Sequence, residues 1–170
     1  TCRATNRKTS PGVIRFKIPE EKITFHDLIR DDITFDGALL GDIVIAKDIE
    51  SPFYNIAVVI DDHEMKISHV IRGEEHLGNT PKQLFFHNAL GLTPPIYAHL
   101  PLLLNKNRAK LSKRDATTAG IDEYKQDGYL QSAIINFIAL LGWHPKDDKE
   151  VLTQEELIEK FDIERAQKAG

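Results

Sequence analysis

The sequence predicts an α/β fold, and three features along the chain predict it. The first fifty residues are rich in short segments typical of strands. A helix with marked ends then lies between two apolar segments, the order of a strand–helix–strand crossover in a parallel sheet. After about residue 115, apolar residues recur at helical spacing. We therefore expect a β-rich start, an α/β centre and a helical end.

The β-rich start is predicted from alternation and from turn residues. Residues 13–18 alternate between polar and apolar side chains and end at Pro19, which predicts a strand. Residues 23–29 and 42–47 are also predicted to be extended. Two dipeptides, Asp31-Asp32 and Asp36-Gly37, predict turns between these segments.

Residues 54–65 allow two interpretations. The run from residue 56 to 60 is apolar and rich in β-branched side chains, which by periodicity alone favours a buried strand. Ser51-Pro52 just before it is equally compatible with the start of a helix. The pattern leaves both interpretations open.

The α/β centre carries the clearest helix of the chain. Residues 67–72 predict a strand, and Gly73 follows as a point of close approach. Thr80 is predicted as the N-cap of a helix with Pro81 in its first turn, Gln83 completing a capping box and Gly91 ending it. Residues 95–104 then form an apolar extended run.

The helical end is predicted from one apolar stripe and a second capping box. The stripe is stopped by Gly142. Thr153 with Glu156 predicts the start of another helix, which runs to about Phe161. The stripe consists of Leu130, Ala133, Ile134, Phe137, Ile138 and Leu141.

Composition excludes several classes of protein. No apolar run approaches the roughly 20 residues that span a bilayer. Cys2 is the only cysteine, which excludes an intramolecular disulfide and predicts no structural zinc site. The N-terminus has no initiator Met, so residue 1 is expected to lie inside a longer chain.

The net charge is −4, yet residues 105–114 contain five cations and no acid. By composition alone this segment is predicted to be a solvated basic loop. A loop that follows the carboxyl end of a parallel strand, however, is where ligands bind, and its cations are suited to binding a polyphosphate.

The basic loop also carries a family resemblance. Lys110-Leu111-Ser112-Lys113-Arg114 resembles the KMSKS signature of class I aminoacyl-tRNA synthetases, in the KLSKR form of glutamyl-tRNA synthetases. Further segments resemble the same family in the same order: residues 51–63, 70–77, 80–81, 99–103 and 128–143. The resemblance implies the second half of a class I Rossmann-type catalytic domain, in which residues 54–65 are a helix. It also implies three regions: the β-rich end of an acceptor-binding insertion (1–50), the half-domain (51–114) and α-helical stem-contact helices (115–170).

The resemblance implies roles for individual residues. Arg72 would hold the side-chain carboxylate of glutamate, with Tyr54 nearby and Val58 where some members carry Asn. Lys110 and Lys113 would be the catalytic residues. The ATP-binding residues implied are Lys110, Ser112, Lys113, Glu75, His76 and the backbone of Leu103. Glu74-Glu75 alone would also fit an acid–base or metal pair, but this chemistry needs no protein acid or base.

The function implied is that of a glutamate–tRNA ligase. Glutamate would react with ATP and Mg²⁺ to give glutamyl-adenylate, followed by transfer to tRNA(Glu). A monomer in the cytoplasm or an organelle matrix, without membrane contact, is expected. Nothing in the sequence matches the HIGH signature or the anticodon-binding domain, so the isolated chain is expected to be inactive. The alternatives are a glutaminyl or glutamyl-queuosine-type synthetase, a non-catalytic tRNA-binding module, and an unrelated nucleotidylyltransferase.

Overall fold

The computed structural model of the protein describes residues 12–104 and 120–168. They divide into two compact units. The first contains residues 12–27, 31–70 and 76–97. The second contains residues 28–30, 71–75, 98–104 and 120–168. No described helix is long and apolar enough to cross a membrane.

The described strands form two sheets. They are β1 (Ile14–Phe16), β2 (Lys22–Asp27), β3 (Asp31–Asp36), β4 (Ile43–Ala46), β5 (His69–Gly73) and β6 (Ile96–Leu100). β1 pairs with β4 in an antiparallel ribbon. The other sheet has the order β3-β2-β6-β5, with β2 antiparallel to β3 and parallel to β6. Both β5 and β6 begin in the first unit and end in the second.

The helices complete the predicted α/β arrangement. They are α1 (Gly37–Leu40), α2 (Tyr54–Glu64), α3 (Thr80–Leu90), α4 (Ile121–Gln126), α5 (Gln131–Leu140) and α6 (Gln154–Lys160), with 3₁₀ turns at Glu74–Asn79 and Ile163–Arg165. Because α3 joins the neighbouring strands β5 and β6, the predicted strand–helix–strand unit is present. The α/β fold class is confirmed. Residues 54–64 form a helix, as the resemblance implied.

Both predicted turns in the β-rich start are wrong. Asp31 and Asp32 belong to β3, a strand that the sequence did not reveal. The turn lies at residues 28–30, and Asp31 has φ of 61°, a left-handed conformation that Asp tolerates better than most residues. Asp36 does not form a turn with Gly37 but caps α1, where its Oδ1 accepts a hydrogen bond from the amide of Ala38 at 2.9 Å.

The two predicted capping boxes have opposite outcomes. The Thr80–Gln83 box is wrong, because a 3₁₀ turn runs directly into α3 and Thr80 is already helical. Gln83 instead donates a hydrogen bond from Nε2 to Oδ1 of Asn55 in α2 at 3.2 Å. The Thr153–Glu156 box is confirmed, with its two reciprocal bonds at 3.0 and 3.2 Å. Gly91 ends α3 with φ of 67°, as predicted.

Each unit has its own apolar core. The first core joins β2, α3 and β6 through Phe25, Leu84 and Tyr97. The second unit has two clusters, one of Ile29, Ala98 and Ala166 and one of Trp143, Leu152 and Leu157. The helix α5 packs on the latter cluster with Ile135, Ala139 and Leu140. The predicted stripe is therefore wrong, because five of its six residues are exposed instead: Leu130, Ala133, Phe137, Ile138 and Leu141.

His87 is a buried polar side chain in α3. Its side chain is 1% exposed, and neither ring nitrogen has a hydrogen-bond partner among the described residues. Burial lowers the pKa of the imidazole from its usual value; Asp62 raises it less, and His63 lowers it. A neutral imidazole in this position is therefore the state that the fold favours.

We expect the pH dependence of stability to report this burial. The unfolded chain takes up the His87 proton below about pH 6.5 while the folded protein does not. Stability is therefore lost as pH falls from about 6.5 toward the lower folded pKa, by at most about 1.4 kcal/mol per pH unit. Urea unfolding between pH 5 and 8 should show that His87→Leu removes this loss, whereas the same change at exposed His69 keeps it. Parallel curves for wild type and His87→Leu would contradict the expectation.

Candidate active site

Arg72 lies near the end of β5 and is oriented by a histidine. Its Nε donates a hydrogen bond to Nε2 of His99 in β6 at 3.1 Å. His99 is 0% exposed. Because the arginine Nε always carries a hydrogen, His99 Nε2 accepts this bond, and the neutral ring then carries its proton on Nδ1. The arrangement fixes both the tautomer of the histidine and the rotation of the guanidinium.

A second arginine holds the strand that carries His99. The Nε of Arg30 donates to the carbonyl oxygen of His99 at 3.2 Å, and its guanidinium forms an ion pair with Glu74. The other carboxylate oxygen of Glu74 accepts from the amide of Leu102 at 3.2 Å. We call Arg30, Arg72, Glu74, His99 and the Leu102 amide the arginine–histidine network. All of it lies in the second unit.

Gly73 allows a close approach between the backbone and Glu75, as the sequence predicted. A Cβ atom at residue 73 would overlap the Glu75 carboxylate, with its Cδ only 2.7 Å away. Glycine therefore lets this carboxylate lie over the end of β5. Glu75 follows Glu74 in the 3₁₀ turn, so the two neighbouring acids face different surroundings.

The first unit places Tyr54 beside His76. Tyr54 is the first residue of α2, and its ring centroid is 6.3 Å from that of His76. The Nδ1 of His76 is 3.3 Å from the side-chain nitrogen of Asn79, within hydrogen-bond distance. Val58 lies one turn further along α2 and is partly buried. Tyr54 and Val58 therefore share a face of this helix.

The remaining predicted site residues fall into two groups. Leu103 follows the network residue Leu102, and its side chain is half-exposed. Residues 110–114, with Lys110, Ser112 and Lys113, lie outside the described residues. Within residues 12–104 and 120–168 there is no group of three metal-binding side chains.

Sequence reasoning missed Arg30 and His99, and it gave Glu74 no role. The signal for His99 was present: a histidine in the middle of a predicted apolar strand needs a hydrogen-bond partner. The pairing of Arg30 with Glu74 joins residues 44 positions apart, so no local pattern announces it.

The fold and the site define a class of protein. A strand–helix–strand unit in a partly parallel sheet, with polar side chains where β5 and β6 end, is the organisation of a nucleotide-binding α/β domain. The family model for class I tRNA synthetases (E and Q), catalytic domain, matches residues 1–170. The chain belongs to this family, which confirms the resemblance seen in the sequence.

Individual relatives agree with this assignment. Glutamate–tRNA ligase 1 of Caldicellulosiruptor saccharolyticus is 54% identical over 91% of the chain, and the ligase of Listeria monocytogenes serotype 4b is 49% identical over 92%. The crystal structure of the Elizabethkingia anophelis glutamate–tRNA synthetase superimposes with a TM-score of 0.82 at 40% identity, over 93% of this chain. The chain spans about a third of the length of these relatives, between 32% and 36%.

We expect the Glu74 carboxylate to stabilise the second unit. Glu74→Ala removes the partner of Arg30 and the acceptor of the Leu102 amide together, and should lower the free energy of unfolding by about 1–3 kcal/mol. Glu74→Gln keeps an acceptor for the amide and should lose less. The measurement is urea unfolding at pH 7, with Glu64→Ala at the exposed end of α2 as the control. Equal stability of Glu74→Ala and Glu64→Ala would contradict the expectation.

Proposed function

We propose that this chain supplies part of the active site of a glutamate–tRNA ligase. The observation that carries the proposal is the identity of 54% over nine tenths of the chain with the Caldicellulosiruptor ligase. The curated relatives named here are glutamate–tRNA ligases, which favours glutamate over glutamine as the substrate. It also favours an enzyme over a non-catalytic tRNA-binding module.

Arg72 is proposed to bind the side-chain carboxylate of glutamate. A guanidinium can grip a carboxylate with two parallel hydrogen bonds, and its positive charge prefers glutamate over the neutral glutamine. Since Nε is directed to His99, the grip would use the end of the guanidinium, through Nη1 and Nη2. Tyr54 and Val58 are also proposed as glutamate-binding residues, as the family resemblance implies. Val58 offers no hydrogen bond where an asparagine would.

ATP with its Mg²⁺ is proposed to be the second substrate. Glu75, His76 and the backbone of Leu103 would contact the nucleoside, while Lys110, Ser112 and Lys113 would contact the phosphates. The α-carboxylate of glutamate attacks the α-phosphorus, and pyrophosphate leaves with its electron pair. A terminal hydroxyl of tRNA(Glu) then attacks the carbonyl carbon of the adenylate and releases AMP. The lysines act by stabilising charge on the phosphates, and positioning supplies the rest.

The remaining parts of the proposal concern organisation. Residues 1–50 are proposed to end an acceptor-binding insertion, residues 51–114 to form half of the catalytic domain, and residues 115–170 to contact the tRNA stem. A monomer located in the cytoplasm, or in an organelle matrix, is proposed. The bacterial origin of the named relatives supports the cytoplasm.

The function is tested by rebuilding a complete ligase. This chain replaces the matching third of the Caldicellulosiruptor enzyme, and aminoacylation and pyrophosphate exchange are measured with tRNA(Glu) present. We expect activity with glutamate and none with glutamine. Lys113→Ala should lower kcat by about 100-fold, because it removes a cation from the transferring phosphates. Lys66→Ala, at an exposed lysine after α2, is the control. A folded but inactive complete ligase would refute the proposal, as would full activity of Lys113→Ala.

A second test concerns the glutamate pocket. In the complete ligase, Arg72→Ala should raise the KM for glutamate by about 100-fold or more, since the substrate carboxylate loses its charged partner. The KM for ATP should stay within about threefold. Lys66→Ala, which removes an exposed cation after α2, is the control. The role of Arg72 is refuted if both KM values change equally or if neither changes.

A further inference from the structure

We propose that His99 is a positioning residue that sets the orientation of the Arg72 guanidinium for glutamate. The inference rests on the proposed function and names a residue that acts through Arg72 without touching the substrate. It follows from the hydrogen bond of 3.1 Å between Arg72 Nε and His99 Nε2, made inside the protein by a side chain with 0% exposure.

The chemistry of this hydrogen bond admits one direction. The arginine Nε has a hydrogen and no lone pair, so it can only donate. His99 Nε2 must therefore be the unprotonated nitrogen, and the ring is neutral with its proton on Nδ1. The bond fixes rotation of the guanidinium about its last side-chain torsion, which a free arginine leaves unrestrained. The two terminal nitrogens then point in a defined direction.

The acceptor is itself fixed by the rest of the arginine–histidine network. Arg30 binds the carbonyl oxygen of His99 at 3.2 Å, so the backbone at this residue cannot shift without breaking that bond. Glu74 holds Arg30 and also accepts from the amide of Leu102 at 3.2 Å, three residues further along the chain. The imidazole therefore has a fixed backbone on which to present Nε2 to Arg72.

Positioning should affect glutamate binding more than turnover with ATP. Without the His99 bond the guanidinium still attracts a carboxylate by charge, but it loses the contact at Nε that sets the fork geometry of a bidentate grip. The expected loss is a weaker affinity for glutamate, with little change in the KM for ATP. A merely structural role of His99 would change both constants and the stability together.

The kinetic test uses the complete ligase that contains this chain. His99→Leu, which has no acceptor, should raise the KM for glutamate by about tenfold or more. His99→Gln, whose amide oxygen can take the place of Nε2, should restore the KM to within about threefold. The double variant Arg72→Ala, His99→Leu should be no worse than Arg72→Ala alone, because both changes act on one interaction. The inference would be overturned if the effects of the two substitutions multiplied in the double variant or if both KM values changed equally. It would also be overturned if His99→Gln did not restore the KM for glutamate.

A second measurement on the chain itself separates this inference from the proposed function. Long-range ¹⁵N–¹H correlation spectra report the tautomer of each of the seven histidines, and the His99→Gln variant identifies the signal of His99. We expect the neutral form with Nδ1 protonated, the opposite of the tautomer usual in solution. A protonated Nε2 would overturn the inference even if the ligase is active. An inactive ligase with the expected tautomer would refute the proposed function and leave the Arg72–His99 geometry in place.

Discussion

A neutral imidazole buried in β6 has one nitrogen that must accept and one that must donate, and the end of the sheet is organised around this requirement. The arginine–histidine network meets the acceptor requirement with a cation instead of a neutral donor. Arg72 satisfies Nε2 of His99, while Arg30 satisfies the carbonyl oxygen of the same residue. Two arginine side chains that contact one fully buried residue bring positive charge, which requires a negative charge nearby. Glu74 provides it through its ion pair with Arg30.

The contrast with His87 shows what this network provides. Both histidines are almost completely buried, but the ring nitrogens of His87 have no hydrogen-bond partner among the described residues. For His87 burial lowers the pKa of the ring and leaves a polar group that weakens the folded state. His99 is equally buried, but its acceptor nitrogen binds Nε of Arg72 and orients that side chain. The same residue type therefore weakens the fold at one position and organises a candidate site at another.

The sequence predicted local features well where the signal is local. The Thr153–Glu156 capping box and the Gly91 helix end depend on residues a few positions apart, and both are present. The Thr80 box failed because a 3₁₀ turn runs directly into the helix, so Thr80 is already helical and is not the N-cap, which the Thr-x-x-Gln pattern does not reveal. The strand β3 was missed because acids at Asp31 and Asp32 resemble a turn, although His26 pairs with Asp32 across β2 and β3. For the site, Arg72 was found by resemblance, whereas Arg30 and His99 depend on contacts 69 and 27 positions apart.

The identity of the acceptor bears on how Arg72 can bind an anion. Had the orienting partner been a carboxylate, the pair would be close to neutral, and a second carboxylate would meet little net attraction. A neutral imidazole at Nε fixes the direction of the guanidinium and adds no negative charge beside it. The carboxylate of the network, Glu74, pairs with Arg30, the arginine that supports the backbone of β6. The group that orients Arg72 at Nε is thus uncharged, an arrangement suited to discriminating a charged side chain from its neutral amide.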